Sequence, residues 1–305
     1  MPMTINAAAA PVGGAKKPGF SRTVLVIVIL VVVVGAVVAI VAGFLFLGPS
    51  LSVTKKNFTP YTTPVSQSSS SPSSMTVSNT NGGVTTSTWS QAYLMINGTV
   101  TARGFGSSPD VITFVESNSS GNIVFQAIFP VSSSFFFGGS YTVDIYVYEP
   151  ASYQFNTVQI VTVNGDLQIS SISATSLTLT DTNGAITASS ITATSTAVTD
   201  TNGSINLTCA SCGSATVTMT NGGVTMDLST LSLTGSYVVT TTNGNVNLTL
   251  PAVASFKVTP KTTNGTISSS GLGVQLTNHT TATFGTGSAV VDLTTTNGSI
   301  IVTGR

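Results

Sequence analysis

The sequence predicts an all-β protein: a single-stranded β-solenoid (β-helix) with an aromatic-rich β entry region, preceded by one transmembrane helix. Three observations carry this prediction. Asn-Gly pairs recur at near-constant spacing through the C-terminal half. Apolar and polar residues alternate with period two from Thr76 onward, with no helical periodicity. Residues 24–47 form an apolar run of 24 residues without a polar side chain, "VLVIVILVVVVGAVVAIVAGFLFL".

The apolar run divides the N-terminal part. At about 1.5 Å per residue it reaches about 36 Å as a helix, enough to cross a hydrocarbon core of about 30 Å with some tilt. It is longer than the ~7–15-residue core of a cleaved signal peptide. Residues 23–48 are therefore read as a single transmembrane helix and residues 1–22 as a short cytoplasmic tail. Lys16, Lys17 and Arg22 before the span and Lys55 and Lys56 after it give only a slight positive-inside bias. The chain is placed in the cell membrane as a single-pass protein, with its N-terminus cytoplasmic and its C-terminal domain extracellular. Gly35, Ala39 and Gly43 share one helical stripe, where small residues admit a second helix, the candidate face for self-association; glycine and alanine are also common in membrane helices generally.

Residues 49–75 are rich in Ser and Pro and do not alternate, which reads as a flexible or extended stalk. Residues 76–160 follow as an aromatic-rich β region. Fourteen of the 22 aromatic residues lie from Trp89 to Phe155, against three after it. Within this block Phe135, Phe136 and Phe137 precede Gly-Gly. Consecutive aromatics on a strand point to both faces, which makes these three the candidate contact surface.

Residues 161–305 are the repeat. The asparagines of its Asn-Gly pairs, Asn164, Asn183, Asn202, Asn221, Asn243, Asn264 and Asn297, are spaced 19, 19, 19, 22, 21 and 33 residues apart. Periods near 20 with short alternating strands indicate coils that bury their inward side chains against the next coil. Asn and Gly both tolerate the left-handed backbone of a sharp turn, and asparagines one strand spacing apart can bond in a ladder. The residue two after each glycine (Ile186, Ile205, Val224, Val246, Ile267, Ile300) should point inward. The competing reading of Asn-Gly is an antiparallel meander of hairpins. The 33-residue interval after Asn264 requires a longer loop or an irregular coil.

"MTVSNTNGGVTTSTWSQ" from Met75, then "YTVDIYVYEPASYQFNTVQIVTVNGDLQIS" from Tyr141, then serial Thr-Asn-Gly coils resemble the putative-adhesin β-solenoid domain family, domains of unknown function related to the head-GIN group. The resemblance spans residues 76–305 and implies architecture more than activity. The scarcity of Asp, Glu and Lys, with the anchor and stalk, also resembles surface proteins of acid-loving archaea.

Composition narrows function. Charged residues make up 6% of the 305-residue chain, against roughly a quarter in an ordinary soluble protein. Nine basic and nine acidic residues leave a net charge of zero and no basic patch, which excludes nucleic acid as a partner. A surface of neutral hydroxyls and amides changes little with pH and suits an acidic exterior. Nine Asn-x-Ser/Thr sequons follow the span, at Asn57, Asn97, Asn118, Asn202, Asn206, Asn247, Asn264, Asn278 and Asn297, and are the candidate glycosylation sites.

Little in the chain carries chemistry. Asp181 and Asp200 hold the same phase of adjacent coils; two stacked carboxylates could share a proton or a cation, but they read first as exposed turn residues. His279, the lone histidine, reads as a loop residue. Cys209 and Cys212 are too few for a zinc site and read as a local disulfide, with free thiols as the alternative. No phosphate loop, dinucleotide fingerprint or zinc helix motif is present, and neither cofactor nor metal is expected. The sequence thus predicts a non-enzymatic, membrane-anchored extracellular protein for adhesion or cell-envelope structure, with a cell-surface protein or glycan as partner. The alternative is a glycan-binding sensor or glycan-processing enzyme on a β-helix scaffold, which carboxylates paired across a cleft would favour.

Overall fold

Alternating side chains and regular Asn-Gly corners give a stack of two-stranded rungs in the computed structural model, which describes residues 53–65, 73–104, 107–130, 139–151 and 153–305. The segments read as a cytoplasmic tail and as a transmembrane helix with Gly35, Ala39 and Gly43, and the contact candidates Phe135, Phe136 and Phe137, lie outside the described residues. Among the described residues, no helix is long and apolar enough to cross a membrane.

Each rung consists of a strand leading into an Asn-Gly corner and a strand leaving it. Leading strands pair in parallel with leading strands, so Ser74–Ser78 lies beside Phe155–Val161, which lies beside Ser173–Thr180. Trailing strands do the same, with Val84–Trp89 beside Leu167–Ser170 and Val224–Asp227 beside Val246–Leu250. Asn183–Asn221 runs through successive rungs without a break. Parallel pairing of each rung with its neighbours excludes the hairpin meander, whose strands would be antiparallel.

Inward residues fill the space between the two faces. Ile186, Ile205, Val224, Val246 and Ile300 are fully buried, as the alternation predicts, and so are the equivalent Val84 and Leu167. Ile267 is only partly buried because its rung is the outermost. Tyr237, the only aromatic deep in the middle of the repeat, donates its hydroxyl to Cys212 O at 2.8 Å. A buried tyrosine needs such a partner.

The rungs are not stacked in chain order. Ala289–Asn297 pairs with Ser236–Asn243 on one side and with Phe256–Asn264 on the other. Ile300–Gly304 is likewise flanked by Val246–Leu250 and Ile267–Ser270. The chain therefore lays down the Asn264 rung as the outermost one and returns to insert its last rung beneath it. This accounts for the 33-residue interval, because the intervening segment must reverse direction. The C-terminus is locked in place, with Arg305 N donating to Leu250 O at 2.9 Å and Ala252 N to Arg305 O at 2.7 Å.

The reversing segment also caps the open edge. Asn278 imitates a neighbouring strand: its Oδ1 accepts from Thr262 N at 2.9 Å and its Nδ2 donates to Thr262 O at 2.8 Å. Ala282–Phe284 adds an antiparallel strand to Phe256–Asn264, and the Phe256 and Phe284 rings meet at 4.6 Å. An uncovered parallel edge would recruit other chains.

At the opposite end Ser140–Pro150 and Asn122–Ile128 continue the parallel stack, and antiparallel strands of the aromatic region close it. Ser140–Pro150 pairs with Val84–Trp89 and then with Tyr93–Arg103. Thr113–Ser119 and Asn122–Ile128 form a hairpin on Ser74–Ser78. Two corrections to the sequence reading follow. Part of the segment read as a stalk, Val53–Asn57 and Tyr61–Pro64, pairs with Tyr93–Arg103. Val53–Asn57 buries no side-chain face, so its sequence shows no alternation, yet its backbone completes the sheet edge. The stack also begins before residue 161, with the rung turning at Asn81.

Candidate functional site

The most distinctive site geometry is the Asn-Gly corner, repeated in register. Eight asparagines form one column. Each Nδ2 donates to the preceding Oδ1: Asn164 to Asn81 at 2.7 Å, Asn183 to Asn164 and Asn202 to Asn183 at 2.9 Å, and Asn221 to Asn202 at 2.8 Å. The series continues at 2.8 Å from Asn243 to Asn221, from Asn297 to Asn243 and from Asn264 to Asn297. The ladder follows the spatial order of the rungs rather than the chain order. Asn81 was missed as a member because 83 residues separate it from Asn164, although "TNGG" carries the same motif.

The glycines follow the same order for a different reason from the one the sequence suggests. Only Gly82, Gly165 and Gly222 among the eight corner glycines have positive φ, and none of the asparagines does. A left-handed turn is therefore not what most corners need. They need close approach. A Cβ on Gly203 would lie 1.7 Å from Gly184 O, one on Gly244 1.8 Å from Gly222 O, and one on Gly265 1.8 Å from Gly298 O. Any side chain there would push the rungs apart.

The position two before the asparagine completes most of the corners; Met219 holds it in the Asn221 rung. Where it is threonine, the hydroxyl donates to a corner glycine carbonyl of the adjoining rung. Thr162 reaches Gly82 O at 3.2 Å, Thr241 Gly222 O at 3.3 Å, Thr295 Gly244 O at 2.9 Å and Thr262 Gly298 O at 2.8 Å. Asp181 and Asp200 hold this position in two central rungs. The structure corrects their reading as exposed turn residues, because each is only 1% exposed. Their Oδ1 atoms accept from backbone N–H groups, Thr182 N at 2.7 Å for Asp181 and Asn202 N at 3.2 Å for Asp200. Both Oδ2 atoms are buried without a partner.

A Cβ built on Gly184 would lie 2.5 Å from both Asp181 Oδ2 and Gly165 O, so these two oxygens face one small space. An ionised carboxylate facing a carbonyl is repulsive; a protonated one supplies the missing donor and does what threonine does in four of the other rungs. Burial, with a smaller contribution from the neighbouring Asp200 and Asp166 charges, pushes Asp181 up to about 6. Burial also raises Asp200. Glu149 is 2% exposed, both its oxygens lack partners, and burial pushes it up to about 8. Among the described residues the one ion pair is Lys56–Asp110, on the surface. No group of three or more His, Cys, Asp or Glu among the described residues could hold a metal ion.

Cys209 and Cys212 are joined in a disulfide. The bridge closes the turn between the trailing strand of the Asn202 rung and the leading strand of the next, and both residues are buried. His279 lies in the capping segment, where its backbone N–H donates to Pro260 O at 2.9 Å.

The nine sequons separate by what holds their amide nitrogen, the atom a glycan would occupy. The Nδ2 atoms of Asn202, Asn264 and Asn297 belong to the ladder. Asn118 Nδ2 donates to Thr63 Oγ1 at 2.7 Å, and Asn278 Nδ2 holds the edge cap. Asn206 and Asn247 point to solvent from trailing strands in alternate rungs. Asn57 and Asn97 lie together on the antiparallel cap.

Residues 109–303 match the family described as Toastrack DUF4097. Among solved structures, the chain is similar to a putative cell adhesion protein from Clostridium sporogenes, at 10% identity and a TM-score of 0.39, covering 83% of this chain and 100% of that one. It is also similar to a putative adhesin from Bacteroides fragilis, at 10% identity and a TM-score of 0.39, covering 83% and 97%. A putative adhesin from Parabacteroides distasonis is similar at 11% identity and a TM-score of 0.32, covering 82% and 97%. No curated protein matches the chain.

Proposed function

We propose, for a chain that belongs to the Toastrack DUF4097 family, a non-enzymatic role at the cell surface, in adhesion or envelope structure. In this reading residues 24–47 anchor the chain, residues 1–22 remain in the cytoplasm and the stacked domain faces outward. Gly35, Ala39 and Gly43 then form the face on which two anchors associate.

The observation that carries the reading is the corner chemistry. Eight rungs are joined by neutral amide and hydroxyl bonds, and the buried acids are placed to work in the protonated state. Such a stack holds together without surface ion pairs and suits an exterior more acidic than a cytoplasm. Asp181 and Asp200 point into the stack and not across a cleft, which supports a structural role over hydrolysis of a glycan. Glycans are proposed at Asn206 and Asn247, where the amide nitrogen is free and exposed.

Protease shaving of intact cells, read by mass spectrometry, tests the placement. Peptides from residues 76–305 should be released before lysis and peptides from residues 1–22 only after it, with sugar mass on the peptides that contain Asn206 and Asn247. Release of residues 76–305 only after lysis would overturn it.

A further inference from the structure

The antiparallel cap carries a cleft of about 500 Å³ outside the corner column. This volume falls within the ~300–1,000 Å³ of small-ligand sites. Its construction follows from strand alternation. Tyr146 and Tyr148 are two residues apart on Ser140–Pro150 and so share its outer face. Asn97 lies directly opposite Tyr146 on Tyr93–Arg103, and Met95 opposite Tyr148. Gly98 also lines the cleft; it lies opposite the buried Ile145, and a Cβ there would point to the inner side, 1.9 Å from Asp144 O and 2.7 Å from Phe58 Cε1. Asn57 and Phe58 form the far wall.

The walls are held rigid. The Tyr148 ring packs against Trp89 at 5.7 Å, and Trp89 meets Tyr93 edge-on at 4.8 Å while its Nε1 donates to Tyr93 O at 2.9 Å. Phe58 is fixed by Phe114 at 4.5 Å and Phe125 at 5.6 Å. Thr99 Oγ1 donates to Asn57 Oδ1 at 2.8 Å, which orients that amide with its Nδ2 available. Tyr146 is 41% exposed, a large value for an aromatic ring on an ordered strand.

No ionisable acid or base lines the cleft, so neither an anionic nor a cationic ligand finds a counter-charge. What the cleft offers is two tyrosine rings beside neutral amides and a hydroxyl. Sugar rings have this complementary pattern, with apolar C–H faces that lie on aromatic rings and hydroxyls that bond to amides. We propose that the cleft between Tyr146, Tyr148, Asn97 and Asn57 binds a neutral oligosaccharide. The proposal deepens the surface-adhesion reading and rests on it for its biological setting, although the binding itself does not depend on location.

Trp89 is the only tryptophan in the chain, so its fluorescence reports on this cleft. The full-length chain, made in a host without N-glycosylation and held in a detergent without a sugar headgroup, is titrated with cellohexaose, maltohexaose and mannohexaose, and with hexagalacturonate as the acidic comparison. At least one neutral hexasaccharide should give a saturable change in emission. Tyr146→Ala and Tyr148→Ala should each weaken it by about tenfold or more, as expected for a central aromatic contact. Thr283→Ala, in the cap at the other end, should leave it unchanged, and unaltered far-ultraviolet circular dichroism confirms that each variant is folded. The proposal is overturned if no neutral hexasaccharide gives a saturable signal, if both tyrosine variants bind like the parent, or if hexagalacturonate binds as tightly. Binding retained in a chain that shaving finds inside the cell would remove the surface reading alone; shaving as expected with no binding would remove the cleft alone.

Discussion

The stacked domain should melt on the order of 10 °C lower at pH 8 than at pH 4. The sign follows from which state holds the proton. Asp181 has an ordinary value of 3.8 and is pushed up to about 6 when folded, so between these values the folded chain binds a proton that the unfolded chain does not. Stability from this site is fully present below about 4 and is lost as the pH rises through about 6. At about 1.4 kcal/mol per unit, Asp181 alone contributes about 3 kcal/mol. Asp200 acts in the same direction, and Glu149, pushed up to about 8, extends the loss to higher pH. Only Asp166 and Asp200 contribute charge at Asp181, and both are acids, so no base offsets the loss. Replacing both aspartates by threonine installs the hydroxyl that four other rungs use. Asp181→Thr with Asp200→Thr should raise the midpoint at pH 8 and leave it nearly unchanged at pH 4. A midpoint that rises between pH 4 and pH 8 in the parent chain would contradict the protonated corner.

Gly203→Ala should be among the most damaging single methyls at the described glycines. The added Cβ would lie 1.7 Å from Gly184 O, 2.6 Å from Asp200 Oδ2 and 2.7 Å from Gly184 C. Two of these three atoms are backbone of the adjoining rung, held in place by the rungs beyond it. Relief requires separating rungs that share ladder bonds on both sides of Asn202. A loss of about 3 kcal/mol or more is expected, at the upper end of single-substitution effects. Gly223→Ala provides the control, because its Cβ would come no nearer than 3.7 Å, to Asn245 O, and its φ is not positive. Denaturant melts of the two variants should therefore differ by most of the Gly203→Ala effect. Equal effects would mean that glycine serves flexibility and not contact.

Much of this was legible in the sequence, and the rest was hidden for identifiable reasons. Spacing near 19 residues located the corners, and alternation located the inward side chains, because both report local geometry that every rung repeats. The insertion of the Asn297 rung beneath the Asn264 rung was not legible: equivalent rungs have equivalent sequences, so their order in space leaves no trace in the pattern. Burial of Asp181 and Asp200 escaped because aspartate before Asn-Gly is also common in exposed turns. Comparison with Thr162, Thr241, Thr262 and Thr295 at the same phase was the available signal. Val53–Asn57 was read as stalk because an edge strand that buries no side chains has no periodicity to show. Tyr146 and Tyr148 were visible only as members of an aromatic block, since their common face depends on pairing with Asn97 and Met95.

Paired cysteines on the outer faces of the trailing strands test the stacking order most directly. Asn247 lies opposite Ile301, and Ile301 opposite Ser268, all three exposed. Neighbouring parallel strands are about 4.8 Å apart, within reach of a disulfide, whereas a separation of two strands exceeds the ~7 Å limit. With the native Cys209–Cys212 bridge left in place, Asn247→Cys with Ile301→Cys should oxidise to a crosslink, and Asn247→Cys with Ser268→Cys should not. Crosslinking of the second pair and not the first would mean that the rungs stack in chain order, and the ladder described here would be wrong at its outer end.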